Sequence, residues 1–207
     1  MSSPPTSVSA PTEDRPQRAD ARRNRGRVVA AARECFAEAG LETQVDDVAR
    51  RAGVGVGTIY RHFPNKEDLA RAVAVHRFQE LAGMAASALD EPDPWKALST
   101  FMWNAAELQS RDRHLTDLMA AQPDLMHQAA TELTDLRERV GQLVTRAQRA
   151  GVLRRDVEVD DVPMIMCGLG RAMQMGPGGP RVSWRRYLAL VLDGLRAKEA
   201  EPLPDWE

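Results

Sequence analysis

The stretch that decides the fold spans residues 45–69 and reads VDDVARRAGVGVGTIYRHFPNKEDL. Two short helical segments meet in it at Gly53-Val54-Gly55, a tight turn in which glycine can take the left-handed backbone conformation. Just before it, Thr43-Gln44-Val45-Asp46 has the form of a capping box, which predicts the start of the first short helix. Pro64 ends the second, because a residue before proline avoids the helical conformation. Two short helices joined by a glycine turn are typical of a helix-turn-helix.

Helical periodicity continues upstream of this motif. Apolar residues recur at i, i+3, i+4 and i+7 over residues 28–39, and Gly40 closes the run. Asp20 is the candidate N-cap of this first helix. Residues 1–18, rich in Ser and Pro, are expected to form a disordered basic arm.

The rest of the chain is helical with proline and glycine punctuation. Asn65 is expected to cap a long helix over residues 66–89. Further helices are predicted over residues 95–109, 114–121, 125–150, 162–175 and 184–198, with a Gly-Pro loop at 176–180. No alternation of apolar and polar residues indicates a strand. The fold is therefore expected to be all-α.

Charge is distributed unevenly, although the whole chain carries a formal net charge of only −2. Between Arg15 and Lys66 there are eleven basic and six acidic side chains, a local net charge of +5. A basic N-terminal part on an acidic remainder is typical of a protein that binds DNA. An arginine-rich helix face exposed to solvent has the same composition, so charge alone does not separate the two.

Composition and motifs narrow the class of function. The two cysteines, Cys35 and Cys167, each lie in an apolar run, as expected of reduced thiols in the cytoplasm. No signal peptide or membrane span is recognisable, so a cytoplasmic protein without membrane contact is expected. The phosphate-binding, zinc and nucleophile motifs of enzymes are missing, and the four histidines lack a metal-binding spacing. No catalytic residue, cofactor or metal site is therefore predicted.

Residues 45–69 resemble the DNA-binding domain of the TetR family of transcriptional regulators. The matching positions are Val48-Ala49, Ala52-Gly53-Val54, Gly57-Thr58-Ile59-Tyr60, His62-Phe63 and Lys66-Glu67-Asp68-Leu69. The resemblance implies an N-terminal three-helix bundle with a helix-turn-helix, followed by a six-helix ligand-binding and dimerisation domain. The implied DNA-binding domain covers residues 19–66, the regulatory and dimerisation domain 67–200, and a tail 201–207.

The resemblance also implies which residues contact DNA. In the family the second short helix enters the major groove, which places Gly55, Val56, Gly57, Thr58 and Arg61 toward base edges. Tyr60, His62 and Lys66 would lie against phosphates, and Thr43 and Gln44, at the start of the preceding helix, are expected to donate to phosphates as well. Arg61 can pair bidentately with guanine or hold a phosphate. Other hydrogen-bonding side chains are few, so thymine methyls and DNA shape are expected to add specificity.

Two C-terminal segments, residues 162–175 and 184–195, are apolar on nearly every side. A chain of this size cannot cover both alone, so a second copy is expected to cover them in a two-fold four-helix bundle. The predicted interface consists of Met164, Cys167, Arg171, Trp184, Tyr187, Leu188, Val191 and Leu195. Such a homodimer would bind a palindromic operator in double-stranded DNA.

The family resemblance implies a pocket for a small-molecule effector in the second domain. The candidate lining residues are Phe78, Phe101, Met102, Trp103, Met119, Met126, Met166 and Met173. Methionine suits an apolar pocket, but such residues at helical spacing are also ordinary core. The implied function is that of a regulator, by family precedent a repressor, which a small apolar ligand releases from its operator through a pivot of helix 66–89. A ligand-independent dimeric DNA-binding protein or an activator is the alternative.

Overall fold

The computed structural model describes residues 14–112, 129–174, 183–197 and 202–204. The helix expected at 114–121, the start of the helix expected at 125–150 and the loop at 176–180 lie outside the described residues. Eight α-helices and one 3-10 turn make up most of the described part. That part contains no β-strand, and its one isolated bridge joins Leu153 to Arg196. The predicted all-α fold is confirmed.

The first three helices form a unit that we call the head. α1 spans Asp14–Ala39, α2 spans Val45–Ala52 and α3 spans Val56–His62, and a 3-10 turn at Gly40–Glu42 joins α1 to α2. Gly40 has a φ of 53° and ends α1, as the sequence predicts. The head has a core of its own, which includes Phe36, Val48, Ile59 and Phe63.

The remaining helices form the body. α4 spans Lys66–Leu89, α5 spans Pro94–Arg111, α6 spans Ala130–Arg149, α7 spans Asp161–Gln174 and α8 spans Trp184–Gly194. Large buried side chains of the body core include Leu98, Met102, Leu143, Leu169 and Leu188. α4 packs in both units, because Leu69 and Val73 belong to the head core while Ala85 and Ala88 belong to the body core.

The observed helix starts show which of the predicted N-cap residues cap a helix. Asn65 accepts a hydrogen bond from the backbone N–H of Asp68 at 2.7 Å, and α4 covers the predicted residues. Asp93 accepts from the backbone N–H groups of Trp95 and Lys96, so α5 begins at Pro94. The predicted N-cap at Asp20 is wrong, since Asp20 lies inside α1 and pairs there with Arg23. The helical backbone already begins at Asp14, which shortens the predicted arm at its C-terminal end.

Candidate DNA-binding interface

The turn between α2 and α3 has one strict backbone requirement. Gly53 has a φ of 65°, in the left-handed region. The Arg27 guanidinium of α1 donates to the Ala52 carbonyl oxygen at 2.6 Å, and a Cβ on Gly53 would lie 3.0 Å from Arg27 Nη2. Carbonyls at a helix C-terminus have no partner within the helix, and Arg27 supplies one. This contact fixes the turn of the helix-turn-helix against α1.

α3 has a buried side and an exposed side. Ile59 is buried in the head core, and so is Phe63, the residue that follows α3. On the exposed side, 48% of Tyr60 is accessible, and the neighbouring Arg61 is exposed as well. Of the other residues predicted to face bases, two glycines are exposed and two side chains are half-buried: Gly55, Gly57, Val56 and Thr58. A Cβ built on either glycine meets nothing within 4 Å, so the start of α3 presents accessible backbone.

The residues predicted to bind phosphate lie where α3 ends and α4 begins. The half-buried His62 ring lies 6.3 Å from the ring of Phe63, and Lys66 is the first residue of α4. Backbone N–H groups at a helix start together with a lysine favour an anion. Arg25 of α1 joins this group, because its guanidinium carbon lies 5.1 Å from the centroid of the Phe63 ring. Sequence reasoning missed Arg25, since no local pattern connects residue 25 with residue 63.

Thr43 and Gln44 have different surroundings, and the predicted phosphate contact of Thr43 is wrong. Thr43 is only 4% exposed, and its hydroxyl donates to the Cys35 carbonyl oxygen at 3.0 Å. It therefore neither caps α2 nor offers its hydroxyl to a phosphate. Gln44 is the N-cap residue of α2 and is exposed, but its side chain makes no capping bond and donates instead to the Glu42 carbonyl oxygen.

The residues predicted to line an effector pocket do not form one group. Five of them belong to the body core or pack against it: Phe101, Met102, Trp103, Met166 and Met173. Phe78 lies in a separate cluster with Ala74 and Ala129. Met119 and Met126 lie outside the described residues. Leu81 and Leu136 pack against both clusters and connect them.

Two surface clefts were found away from these residues. One, of about 350 Å³, lies between α1 and α2 and is lined by Cys35, Glu38, Arg51 and neighbours. The other, of about 980 Å³, runs along α6 and is lined by Val144, Arg149, Val159 and neighbours. Neither contains a residue of the predicted pocket, so these clefts give no support to its position.

α7 and α8 each expose one large apolar side chain. Met164 is 59% exposed and Leu190 is 64% exposed, and Cys167 and Arg171 are exposed beside Met164 on α7. Three further predicted interface residues are half-buried against the body core: Trp184, Tyr187 and Val191. The predictions for Leu188 and Leu195 are wrong, because both are buried in the core of their own chain. Leu190 is not among the predicted interface residues, although it lies in the predicted apolar segment 184–195.

Two models of protein families match the chain. Residues 28–73 match the model of bacterial regulatory proteins of the tetR family. Residues 93–197, slightly more than half of the chain, match the C-terminal domain of SbtR-like transcriptional regulators. The chain belongs to the TetR family.

Individual relatives agree with this TetR-family assignment. A TetR transcription regulatory protein from Mycobacterium vanbaalenii is 36% identical, with a TM-score of 0.68 over 87% of this chain and 99% of that one. The probable HTH-type transcriptional regulator ArpR of Pseudomonas putida is 25% identical over 71% of this chain and 76% of that protein. The regulator FadR of Bacillus subtilis, solved in complex with stearoyl-CoA, shares the fold at 19% identity and a TM-score of 0.63, over 81% of this chain and 95% of that one.

The TetR-family chain is a DNA-binding transcriptional regulator. No helix in the described part of the chain is long and apolar enough to cross a membrane. Within the described ranges, no group of three His, Cys, Asp or Glu side chains is placed to hold a metal ion.

Proposed function

We propose that this TetR-family protein is a repressor that binds a palindromic operator as a homodimer and is released by a small, mainly apolar ligand. DNA binding is supported by the two different sides of α3, one buried and apolar and the other exposed. Its apolar side is fixed in the head core by Ile59, while Tyr60 and Arg61 are exposed on the other side. A helix held in this way can lie in a major groove without unfolding the head.

The proposed DNA-binding domain covers residues 19–66, and the regulatory domain covers 67–200. Arg61 reads a base or holds a phosphate, and the bare backbone at Gly55 and Gly57 allows α3 to lie deep in the groove, with Val56 and Thr58 beside it. Tyr60, His62, Lys66 and Gln44 bind phosphates, together with Arg25. Phosphate contacts set the orientation of the head, and base contacts set the sequence that it selects.

The proposed dimer forms through the exposed side of α7 and α8. Met164 and Leu190 are large apolar side chains more than half exposed, with Cys167 and Arg171 adjacent. In a two-fold interface each such residue occurs once from each copy. The apolar area buried in the dimer is therefore twice that exposed on one chain. Two heads on one face of the duplex then require two half-sites in inverted orientation.

The proposed effector binds in the body and displaces the heads through a pivot of α4. Support comes from the methionines and aromatic rings around the body core, and from FadR, a protein of the same fold that was solved with stearoyl-CoA. A 100-fold release from DNA requires a coupling free energy of about 2.7 kcal/mol. The close burial of Phe101 and Met102 favours the second candidate, a ligand-independent regulator whose body only dimerises.

The first experiment selects bound sequences from a random duplex pool at two salt concentrations. We expect an enriched inverted repeat and binding that weakens steeply with salt. Arg61→Ala should relax selection at one position of each half-site if Arg61 reads a base, and weaken binding to all sequences equally if it holds a phosphate. Arg155→Ala, at an exposed arginine of the body, should do neither. Salt-sensitive binding without an enriched motif would contradict sequence-specific regulation.

The selected operator then serves to test the effector. Stearoyl-CoA and a panel of small apolar compounds are added to the operator complex, and release is followed by fluorescence anisotropy. A compound that releases DNA at saturation supports the effector proposal. Compounds that bind the protein and leave operator affinity unchanged support the ligand-independent candidate.

A further inference from the structure

Four charged side chains, from α1, α4 and the residue that follows α5, meet where the head joins the body. The carboxylate oxygen Oδ2 of Asp112, just after α5, accepts from Arg77 Nη1 of α4 at 2.6 Å and from Arg33 Nε of α1 at 3.0 Å. Arg33 also donates through Nη1 to Glu80 Oε2 of α4 at 2.9 Å. We call these four residues the junction cluster. It connects the head helix α1 with two helices of the body.

The junction cluster is shielded from water at its centre. The Asp112 side chain is 8% exposed and that of Arg77 is 7% exposed, while Arg33 and Glu80 are partly accessible at its edge. Burial lowers the pKa of Arg77 to about 10, although the charge of Asp112 acts in the opposite direction. Two arginines and two carboxylates balance each other. Removing one buried charge would leave its partners uncompensated in a medium that does not screen them.

Other ion pairs of the described head remain inside it. Arg51 of α2 binds Glu38 of α1 through two hydrogen bonds of 2.8 Å, and Arg50 pairs with Asp47 within α2. Arg33 differs because both of its partners belong to the body. Charge-assisted hydrogen bonds depend on direction, so they fix an angle between elements, which apolar packing does less strictly.

We propose that Asp112 is a positioning residue for DNA binding: it binds Arg33 of α1 and Arg77 of α4 through one carboxylate oxygen and so sets the orientation of the head on the body. The inference rests on the operator binding proposed above. In a dimer, the orientation of each head determines the separation of the two recognition helices. Asp112 thereby restricts the spacing between half-sites that the protein accepts.

The test compares Asp112→Asn with a matched control, Glu38→Gln. Asparagine keeps the shape of aspartate but removes the charge, whereas Glu38→Gln removes a carboxylate from an exposed pair within the head. Affinity is measured for the selected operator and for versions with one base pair added to or removed from the spacer. For Asp112→Asn we expect about tenfold weaker binding to the selected operator and a smaller difference among the three spacers. Glu38→Gln should retain the spacer preference of the unmodified protein.

The spacer comparison separates positioning from simple destabilisation. Loss of folded protein lowers the affinity for all three operators by one common factor and leaves their ratio unchanged. An unchanged ratio for Asp112→Asn would therefore overturn the inference. A double-mutant cycle with Arg33→Gln should show that the two substitutions are not additive, because they remove the same contact.

A second measurement does not need DNA. Spin labels are placed at cysteines replacing Glu42 in the head and Thr145 on α6, both exposed, in a Cys167→Ser background diluted with unlabelled chain. Asp112→Asn should broaden the distribution of head-to-body distances, and Glu38→Gln should not. If the unmodified protein selected no operator, the proposed function would fail, and the distance distribution would still decide the inference: equal widths overturn it.

Discussion

Two glycines of the helix-turn-helix, Gly53 and Gly57, have opposite roles at the scale of single residues. Gly53 takes a left-handed φ of 65°, and a Cβ there would lie only 3.0 Å from Arg27 Nη2. Gly57 lies within α3, and a Cβ there would meet nothing within 4 Å. The first glycine is therefore required by the backbone and its neighbour, whereas the second lowers the stability of its own helix.

We expect Gly53→Ala and Gly57→Ala to change stability in opposite directions. The first should lower the free energy of unfolding by about 1–2 kcal/mol, because an L-residue is strained at that φ and Arg27 must shift. The second should raise it by roughly 0.5–1 kcal/mol, because alanine restricts the unfolded chain more than glycine does. Urea unfolding followed by circular dichroism measures both. Destabilisation by Gly57→Ala would contradict the open surroundings of that position.

Tyr60→Phe tests the phosphate side of α3. We expect operator binding to weaken by about 1.5–3 kcal/mol, because the proposed contact is a hydrogen bond from the phenol hydroxyl to a charged phosphate oxygen. The loss should be equal for all operator variants, since phosphates carry no sequence information. Binding isotherms against the selected operator and its single-base variants give this comparison. A loss that depends on one base pair would place Tyr60 at a base edge instead.

Thr43→Val and Gln44→Ala should separate stability from DNA binding. Thr43→Val removes the buried bond to the Cys35 carbonyl and should cost about 1 kcal/mol of folding free energy, with operator affinity unchanged. Gln44→Ala should weaken operator binding and leave stability nearly unchanged, because its side chain is exposed. Unfolding curves and operator titrations of both variants are needed. Weaker operator binding by a fully folded Thr43→Val variant would show that Thr43 contacts DNA.

These two neighbours show where sequence reasoning fails at single positions. The capping-box pattern at Thr43 is purely local, and the competing acceptor, the Cys35 carbonyl, lies eight residues upstream at the end of α1. A buried hydroxyl donates to whichever acceptor the fold brings within reach. The positions of Ile59 and Phe63 in the core were predictable, because their spacing of four residues is itself a local signal.

At the scale of whole helices, the accuracy of the predicted limits follows the strength of the end signals. Pro64 and Asn65 fix the start of α4, and the prediction there is confirmed to the residue. α1 begins at Asp14, earlier than predicted, although Pro16 lies in its first turn. Proline is tolerated there because the first backbone N–H groups of a helix have no partner within it. The Ser- and Pro-rich composition that predicted a disordered arm therefore does not exclude a helical turn.

Arg146 joins two elements at the far end of α4. Its guanidinium on α6 donates to the carbonyl oxygens of Leu89 at 2.8 Å and Pro92 at 2.7 Å, and also to that of Glu91. We expect Arg146→Ala to lower the free energy of unfolding by about 2 kcal/mol, because several carbonyls lose a charged donor. Arg149→Ala, an exposed arginine three residues on, is the control for charge. Thermal unfolding of both variants tests this prediction. Equal decreases in Tm for Arg146→Ala and Arg149→Ala would contradict the role of Arg146 as a donor to these carbonyls.

At the scale of the whole molecule, the exposed side of α7 and α8 leads to a test of oligomeric state. Leu190→Glu should convert the proposed dimer into a monomer, because a two-fold axis brings two buried carboxylates into one interface. Leu203→Glu, at an exposed leucine on the C-terminal segment, is the matched control. Sedimentation velocity over a range of concentrations gives the result. A dimer that survives Leu190→Glu would place the interface elsewhere.

The two cysteines report on the same interface. Cys167 is exposed in the single chain beside Met164, so dimer formation should protect it from alkylation and Leu190→Glu should restore its reaction. Cys35 is the internal reference, because burial raises its pKa and it should react only on unfolding. Labelling at Cys167 that is equally fast in both proteins would contradict protection by a second copy.

The sequence predicts that α7 and α8 are apolar, but not which side each turns outward. Leu188 and Leu190 are two residues apart on one helix, and one is buried while the other is 64% exposed. Their hydrophobicity is the same, so only the packing of α8 against α5 and α7 distinguishes them. The residues predicted for the effector pocket have the same weakness, because side chains that line a pocket and side chains that fill a core have one composition.

The contact between Arg146 and the Leu89 carbonyl holds the C-terminal end of α4, so a tilt of α4 moves its N-terminal end at Lys66 the most. α4 has 24 residues, which corresponds to a length of about 36 Å at 1.5 Å per residue. If Arg146 holds the far end still, a tilt of about 5° moves the end at Lys66 by about 3 Å. In the proposed pivot, a small tilt of α4 would therefore shift the head by a distance comparable to the rise of one base pair.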